Sequence, residues 1–388
     1  MMKLVLIIVF IFTSYINAKV IINNPNKVVS AIAGRKINLR LLGVAHNPDA
    51  GFLFKKPRDI VIVDNEGGFF LIDDGKVLQF NKKCEFTKIV VRKGNGPGEA
   101  TYLTQLYKFN NNLFVNTGFM QKLMIFDFNG NLLSENRLLN KIKTTKNMNV
   151  VSNSIYDIIG ANRNRDFIVI SYSPLESTSK TFKQYLVVQL SKQNKLLKNL
   201  FKIPMKTFTY NKKHSVAISD VITASNDRFI YFCNTARYEI KKYNIESNKI
   251  EAIWKRNYVP VCVPDDVKGK QNYGETVTSG TVGGKTYEYK APLKNYFNDI
   301  QKMFFVDNKL WVITSTVDND KGVLVDLFDS SGKYIDNFYM PLRGNLNELY
   351  NNEFCISDNN IVIREIDSEY NYKVVHYRIQ VDVTKDMR

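Results

Sequence analysis

The chain has 388 residues, and 54 Lys and Arg against 37 Asp and Glu give it a formal net charge of +17. Its four cysteines (Cys84, Cys233, Cys262 and Cys355) lie far apart with no Cys-x-x-Cys pair, which excludes a thiolate zinc site of ordinary spacing and a disulfide-dense scaffold. A basic protein suits anionic partners, yet the lysines are scattered and no Arg-rich stripe accompanies them, so no specific nucleic acid is expected.

The first element is "MMKLVLIIVFIFTSYINAKV". Lys3 precedes an apolar run from Leu4 to Phe12, and Ala18 closes the segment, which is the order of a secretory signal. The run is about half the ~20 residues that span a bilayer. Residues 1–18 are therefore expected to be a signal peptide, with a secreted or periplasmic mature chain from Lys19. No cysteine sits near the cut, so lipoprotein anchoring is not expected, and no other segment reads as transmembrane. Residues 27–54, with "KVVSAIAG" and "KINLRLLG", are expected to supply a closing strand or a plug.

From there to the C-terminus short apolar-alternating runs recur, among them "IVIVD", "GFFLID", "DFIVISYS", "RFIYFCN", "LWVITST" and "NIVIREI". Each is strand-sized with period-two character, and an aromatic content of 12% suits a pleated, half-buried surface. Five stretches share one grammar: "QFNKKCEF", "IFDFNGNLL", "QLSKQNKLL", "KYNIESNKI" and "LFDSSGKYI". An apolar or aromatic residue ends a strand, polar turn residues follow, and an apolar residue restarts. The anchors are Phe80, Phe126, Leu190, Tyr243 and Phe328, with Tyr377 as a turnless sixth. Their spacing has a base period of about 46–53 residues, lengthened in two places, as a four-stranded propeller blade requires. The expectation is all-β: a single domain, 19–388, forming a six-bladed β-propeller of four-stranded antiparallel blades.

"RKGNGPGEA" follows the strand-like "FTKIVV" and precedes the next inner strand. Gly94, Gly96 and Gly98 permit backbone angles closed to other residues, and Pro97 stiffens the path. A phosphate loop would open a helix and carry Gly-Lys-Ser/Thr, whereas "EATYLTQLYKF" offers neither. The stretch reads as a blade-to-blade crossing, with Glu99 bonded to nearby backbone and Arg92, Lys93 and Asn95 as candidate binding residues on its face.

"GGFFLIDDGKVLQFNKKCEFTKIVVRKGNGPGE" resembles the repeat unit of bacterial six-bladed β-propeller proteins related to NHL repeats. "LMIFDFNGNLL" and "RYEIKKYNIESNKI" are similar to the same unit, and the likeness covers most of residues 55–380. Ala100 stands where that group usually has an aromatic residue. The resemblance implies an exported propeller of a group mostly without assigned activity, and it designates no catalytic residue.

No catalytic constellation is found. His46, His214 and His376 are single and widely separated. "VDNDKG" starts like a calcium loop, but its twelfth position falls in a strand-like run at Asp329, so it reads as a hairpin tip. No Gly-x-Ser-x-Gly elbow occurs. No cofactor or metal residue is assigned, although calcium held by carboxylates of different blades in the central channel stays open. The most individual segment is an insertion at about 257–297, between the fourth and fifth blades, where Tyr273, Lys285, Tyr287 and Tyr289 are candidate binding residues. The functional expectation is a non-enzymatic, monomeric binding or scaffold protein that meets a protein or glycan partner at the cell envelope. The rival expectation is a calcium-dependent lactonase or esterase working in the channel.

Overall fold

The computed structural model describes residues 20–25, 36–45, 54–63, 67–109, 111–117, 122–137, 155–161, 167–173, 182–190, 196–210, 214–217, 221–226, 228–265, 268, 277–282, 285–290, 295–342, 353–366 and 371–382. These residues are almost wholly β, and among them no helix is long and apolar enough to cross a membrane.

Two N-terminal strands, β1 (Val20–Asn24) and β2 (Lys36–Ala45), join sheets formed much later in the chain. Strands β3 (Arg58–Ile62), β4 (Phe69–Asp73), β5 (Lys76–Phe80) and β6 (Phe86–Val91) form one antiparallel sheet. The next contains β7 (Leu103–Phe109), β8 (Asn112–Thr117), β9 (Lys122–Asp127) and β10 (Leu132–Arg137). A third contains β11 (Ile155–Ala161), β12 (Phe167–Ser173), β13 (Phe182–Leu190), β14 (Leu196–Tyr210) and β15 (His214–Ala217). Strands β16 (Val221–Ser225), β17 (Phe229–Asn234), β18 (Glu239–Asn244) and β19 (Lys249–Arg256) take β1 as an outer strand. A separate hairpin, β20 (Val277–Val282) with β21 (Lys285–Lys290), precedes the sheet of β22 (Ile300–Val306), β23 (Lys309–Asp318), β24 (Gly322–Phe328) and β25 (Tyr334–Met340). Finally β26 (Phe354–Ser357), β27 (Asn360–Ile366) and β28 (Tyr372–Asp382) pair in order, and β2 completes their outer edge.

The first strands of these sheets lie side by side in a closed circuit. β3 lies against β7, β7 against β11, β11 against β16, β16 against β22, β22 against β26, and β26 against β3. A ring of antiparallel sheets, each beginning at the axis, is a β-propeller. The apolar cores lie between neighbouring sheets. One joins Phe70 and Val77 to Leu113 and Met124, and another joins Tyr231 and Trp254 to Val312 and Phe328. The sheets of β3–β6, β16–β19, β22–β25 and β26–β28 are thus covered on both flat faces by their neighbours.

The anchors of the repeat explain themselves in this frame. Phe80, Phe126, Leu190, Tyr243, Phe328 and Tyr377 all stand on the third strand of their sheets, so the shared grammar is the hairpin between third and fourth strands. Tyr377 has no such turn because its outer partner β2 arrives from the N-terminus, with Leu41 opposite Tyr377. Gly332 shows why the turn chemistry is strict. Its φ is +91°, and a Cβ there would fall on the indole of Trp254 in the neighbouring sheet.

The expectation of six uniform, four-stranded antiparallel blades needs correction. Five of the sheets with four or more described strands are antiparallel throughout, while the sheet of β16–β19 is mixed because β1 adds to β19 in parallel. The sheet of β11–β14 also gains a fifth strand, since the 15-residue β14 outruns β13 and its excess pairs with β15. β1 thus covers the outer edge of β19 with chain from the N-terminus, while β15 pairs only with the Thr207–Tyr210 end of β14.

Candidate functional site

The connection from β6 to β7 is built around Glu99. Its carboxylate accepts the Gly96 amide at 2.9 Å, and its own amide donates to the Gly96 carbonyl at 3.1 Å. Arg92 and Glu99 form a parallel bridge, and the Ala100 amide donates to the Arg92 carbonyl at 3.0 Å. The glycines serve two different needs. Only Gly98 has positive φ, at +71°. At Gly94 a Cβ would fall on the Glu99 carboxylate, and at Gly96 it would stand 3.0 Å from Oε2, so both are small to admit that side chain.

The next sheet grips this connection. The buried Lys122 ammonium donates to the carbonyls of Gly96 and Glu99, each at 3.0 Å, and pairs with Glu135 at 2.7 Å. The second Glu135 oxygen accepts the Gly98 amide at 2.7 Å. The ammonium therefore has three acceptors, which meets the requirement for burying it. Arg92, Lys93, Asn95 and Pro97 stay exposed on the outer side.

The other expected binding residues lie elsewhere. Lys285, Tyr287 and Tyr289 occupy alternate positions of β21, opposite Val282, Gly280 and Thr278 of β20. Tyr273 lies outside the described residues. The excursion carrying this hairpin leaves and returns through one neck. The Val263 amide donates to the Asn295 carbonyl and the Phe297 amide to the Val261 carbonyl, both at 2.9 Å, and Cys262 bridges Tyr296. Val263 and Phe297 are buried and fix the neck to the propeller. The crossing and the insertion belong to different connections, β6–β7 and β19–β22, with other sheets between them in the circuit.

Sequence reading missed a buried polar cluster between β19 and β24. The Arg256 guanidinium donates to Asp326 Oδ2 at 2.6 Å, the Tyr238 hydroxyl donates to the same oxygen at 2.6 Å, and the Tyr334 hydroxyl donates to Oδ1 at 2.9 Å. Tyr238, Tyr258 and Tyr334 surround the guanidinium at 5.5, 5.4 and 4.8 Å from their ring centroids. Asp326 is wholly buried, and that desolvation outweighs its three donors, pushing its carboxyl up to about 6. The nearby Asp299 is also raised by burial to about 6, against the Tyr238 amide bonded to it. One signal was present: Asp326 interrupts the apolar "VLVDLF" at a mid-strand position.

Of the histidines, His376 is buried, with Nδ1 3.0 Å from the Lys82 carbonyl and Nε2 3.1 Å from Asn360 Oδ1, joining the last sheet to the first. His214 opens β15, and His46 lies outside the described residues. "VDNDKG" is the tip between β23 and β24, where Asp318 accepts the amides of Asp320 and Lys321. Among the described residues no group of three or more His, Cys, Asp or Glu stands where it could hold a metal ion. The four cysteines are free; Cys84 and Cys233 are buried, Cys355 is partly buried and Cys262 is exposed.

No family model matches the chain, and no curated protein matches it. Solved structures do. A Bacteroides fragilis protein described as exported is 14% identical with a TM-score of 0.49, over 94% of this chain and 100% of that one. A DUF4221 family member from Bacteroides vulgatus is 8% identical with a TM-score of 0.48, over 90% and 99% of the two chains. The calcium-binding protein regucalcin of Agrobacterium tumefaciens is 9% identical with a TM-score of 0.40, over 92% and 96%.

Proposed function

We propose that this chain is an extracytoplasmic binding or scaffold propeller, monomeric and without a lipid anchor, that meets a protein or glycan partner at the cell envelope. The signal-like order of residues 1–18 supports the location. The closed circuit of first strands supports reading the ring as six blades, the mixed sheet of β16–β19 being one of them. The Gly94–Glu99 set then has a structural part in the crossing.

One observation carries the binding reading: the insertion leaves and returns at a single hydrogen-bonded neck anchored by Val263 and Phe297. A lobe closed at its base is dispensable to the ring, so its Tyr and Lys content is free to serve recognition. Replacing residues 264–294 with a three-residue glycine-serine linker tests this. The variant is expected to melt as the parent does and to lose co-sedimentation with isolated cell-envelope material. Full retention would remove the lobe as the recognition surface. The calcium-dependent hydrolase is the other outcome: a calcium-dependent rise in melting temperature, reversed by chelator, would favour it, and none is expected.

A further inference from the structure

We propose that the face of the propeller bearing the β6–β7 crossing docks a linear polyanionic glycan, one carrying phosphate or sulfate groups, through Lys55, Lys56, Lys76, Arg92 and Lys93. This deepens the binding reading above and rests on it, while using the β6–β7 connection instead of the β19–β22 one.

The five cations come from three places in the chain: the stretch before β3, the first residue of β5, and the start of the crossing. Asp74 marks the point where three of them, Lys55, Lys76 and Lys93, meet. Its carboxylate accepts Lys55 Nζ at 2.8 Å, and Lys76 and Lys93 both act on it electrostatically. The neighbouring Asp73 points inward, buried, and accepts the amides of Lys56 at 2.7 Å and Lys55 at 3.2 Å. Five cations thus stand against three carboxylates, Asp73, Asp74 and Glu99, of which only Asp74 is exposed. Lys55, Lys56, Arg92 and Lys93 are exposed as well.

The backbone beneath Arg92 and Lys93 is held by Glu99 and by the buried Lys122–Glu135 pair, so little order remains to be acquired on docking. Well-hydrated ammonium groups spread over separate loops do not make a cradle for one phosphate. They match charge repeated along a polymer, bound by release of its counterions. Tyr102, 55% exposed at the end of the same connection, adds an aromatic face of the kind that stacks on a sugar ring.

The test uses the full chain and fluorescent heparin oligosaccharide, titrated across a range of salt concentrations. The Lys55→Gln/Lys76→Gln/Lys93→Gln variant is expected to bind at least about tenfold more weakly, with a salt slope smaller by about two to three. A Lys249→Gln/Lys321→Gln/Lys333→Gln variant removes the same three charges from exposed positions on other sheets, and should stay within about twofold of the parent. Equal weakening of both would reduce the effect to net charge and overturn the proposal. So would unchanged heparin affinity in the first variant, or patch-dependent binding of phosphatidylglycerol vesicles or single-stranded DNA with none of heparin. Melting curves of both variants show that each is folded. The chain lacking residues 264–294 should keep its heparin affinity, so failure of the lobe and failure of this face are told apart.

Discussion

Arg256 and Asp326, 70 residues apart in sequence, meet at 2.6 Å across the boundary between the sheets of β16–β19 and β22–β25. Both side chains are almost fully withdrawn from water, and three tyrosines line the guanidinium. Such a pair does little for stability when compared with an apolar replacement of both partners, yet removing one partner strands a charge.

Arg256→Met is accordingly expected to cost about 3–5 kcal/mol in denaturant unfolding. The double variant Arg256→Met/Asp326→Leu should cost clearly less than the two single losses added together. Additive losses would mean that the two groups act independently.

Acidity should strengthen the same boundary. Asp326 and Asp299 are both raised by burial to about 6, against an ordinary value of 3.8. The folded chain therefore binds protons that the unfolded chain does not, and stability grows as pH falls through 6 and is lost as pH rises through it. Asp74, Asp127, Asp265 and Asp318 are lowered and oppose this only nearer their own range, and they are exposed or half-exposed and screened. Melting temperature should be a few degrees higher at pH 5 than at pH 7.5. Asp326→Asn should shrink the difference; an unchanged difference would place its source elsewhere.

The crossing should fail as structure before it fails as surface. Lys122→Met leaves the Gly96 and Glu99 carbonyls and Glu135 without their shared donor, for an expected loss of about 2–4 kcal/mol. Gly98→Val forces a β-branched residue to φ +71° and should cost about 1–3 kcal/mol. Thermal melting checks both. An unchanged melt accompanied by lost heparin binding would make this connection purely a recognition loop.

The third-strand anchors were legible because the hairpin after them is local: an aromatic residue that must be buried stands next to turn residues that must not be. Phe80, Phe126, Tyr243 and Phe328 are buried as that logic requires. Parallel addition of β1 to β19 leaves no such trace, since Val20 pairs with Ala252 and a five-residue run carries no periodicity. Arg256 and Asp326 were illegible as a pair for the same reason. Each alone reads as an ordinary strand residue, and only the ring brings them together. Glu99 was readable in part. Its proximity to three glycines suggested backbone contacts, but the grip of Lys122 and Glu135 comes from the following sheet.

The pairing of β2 with β28 has a mechanical consequence. Lys36 lies opposite Asp382 and Ala45 opposite Val374, so the outer strand from the N-terminus starts where the C-terminal strand ends. Tension applied between those two ends loads the hydrogen bonds of that ladder one after another, as in peeling tape, instead of all at once in shear. The β1 arm, pinned where Asn24 donates to the Gly332 carbonyl at 3.0 Å and accepts the Tyr334 amide at 2.9 Å, stands ahead of that ladder in the path of the load. A pull on the N-terminus must first strip β1 from β19 and then break the Asn24 latch, so an outlying catch takes the force before the ladder of β2 and β28 is loaded.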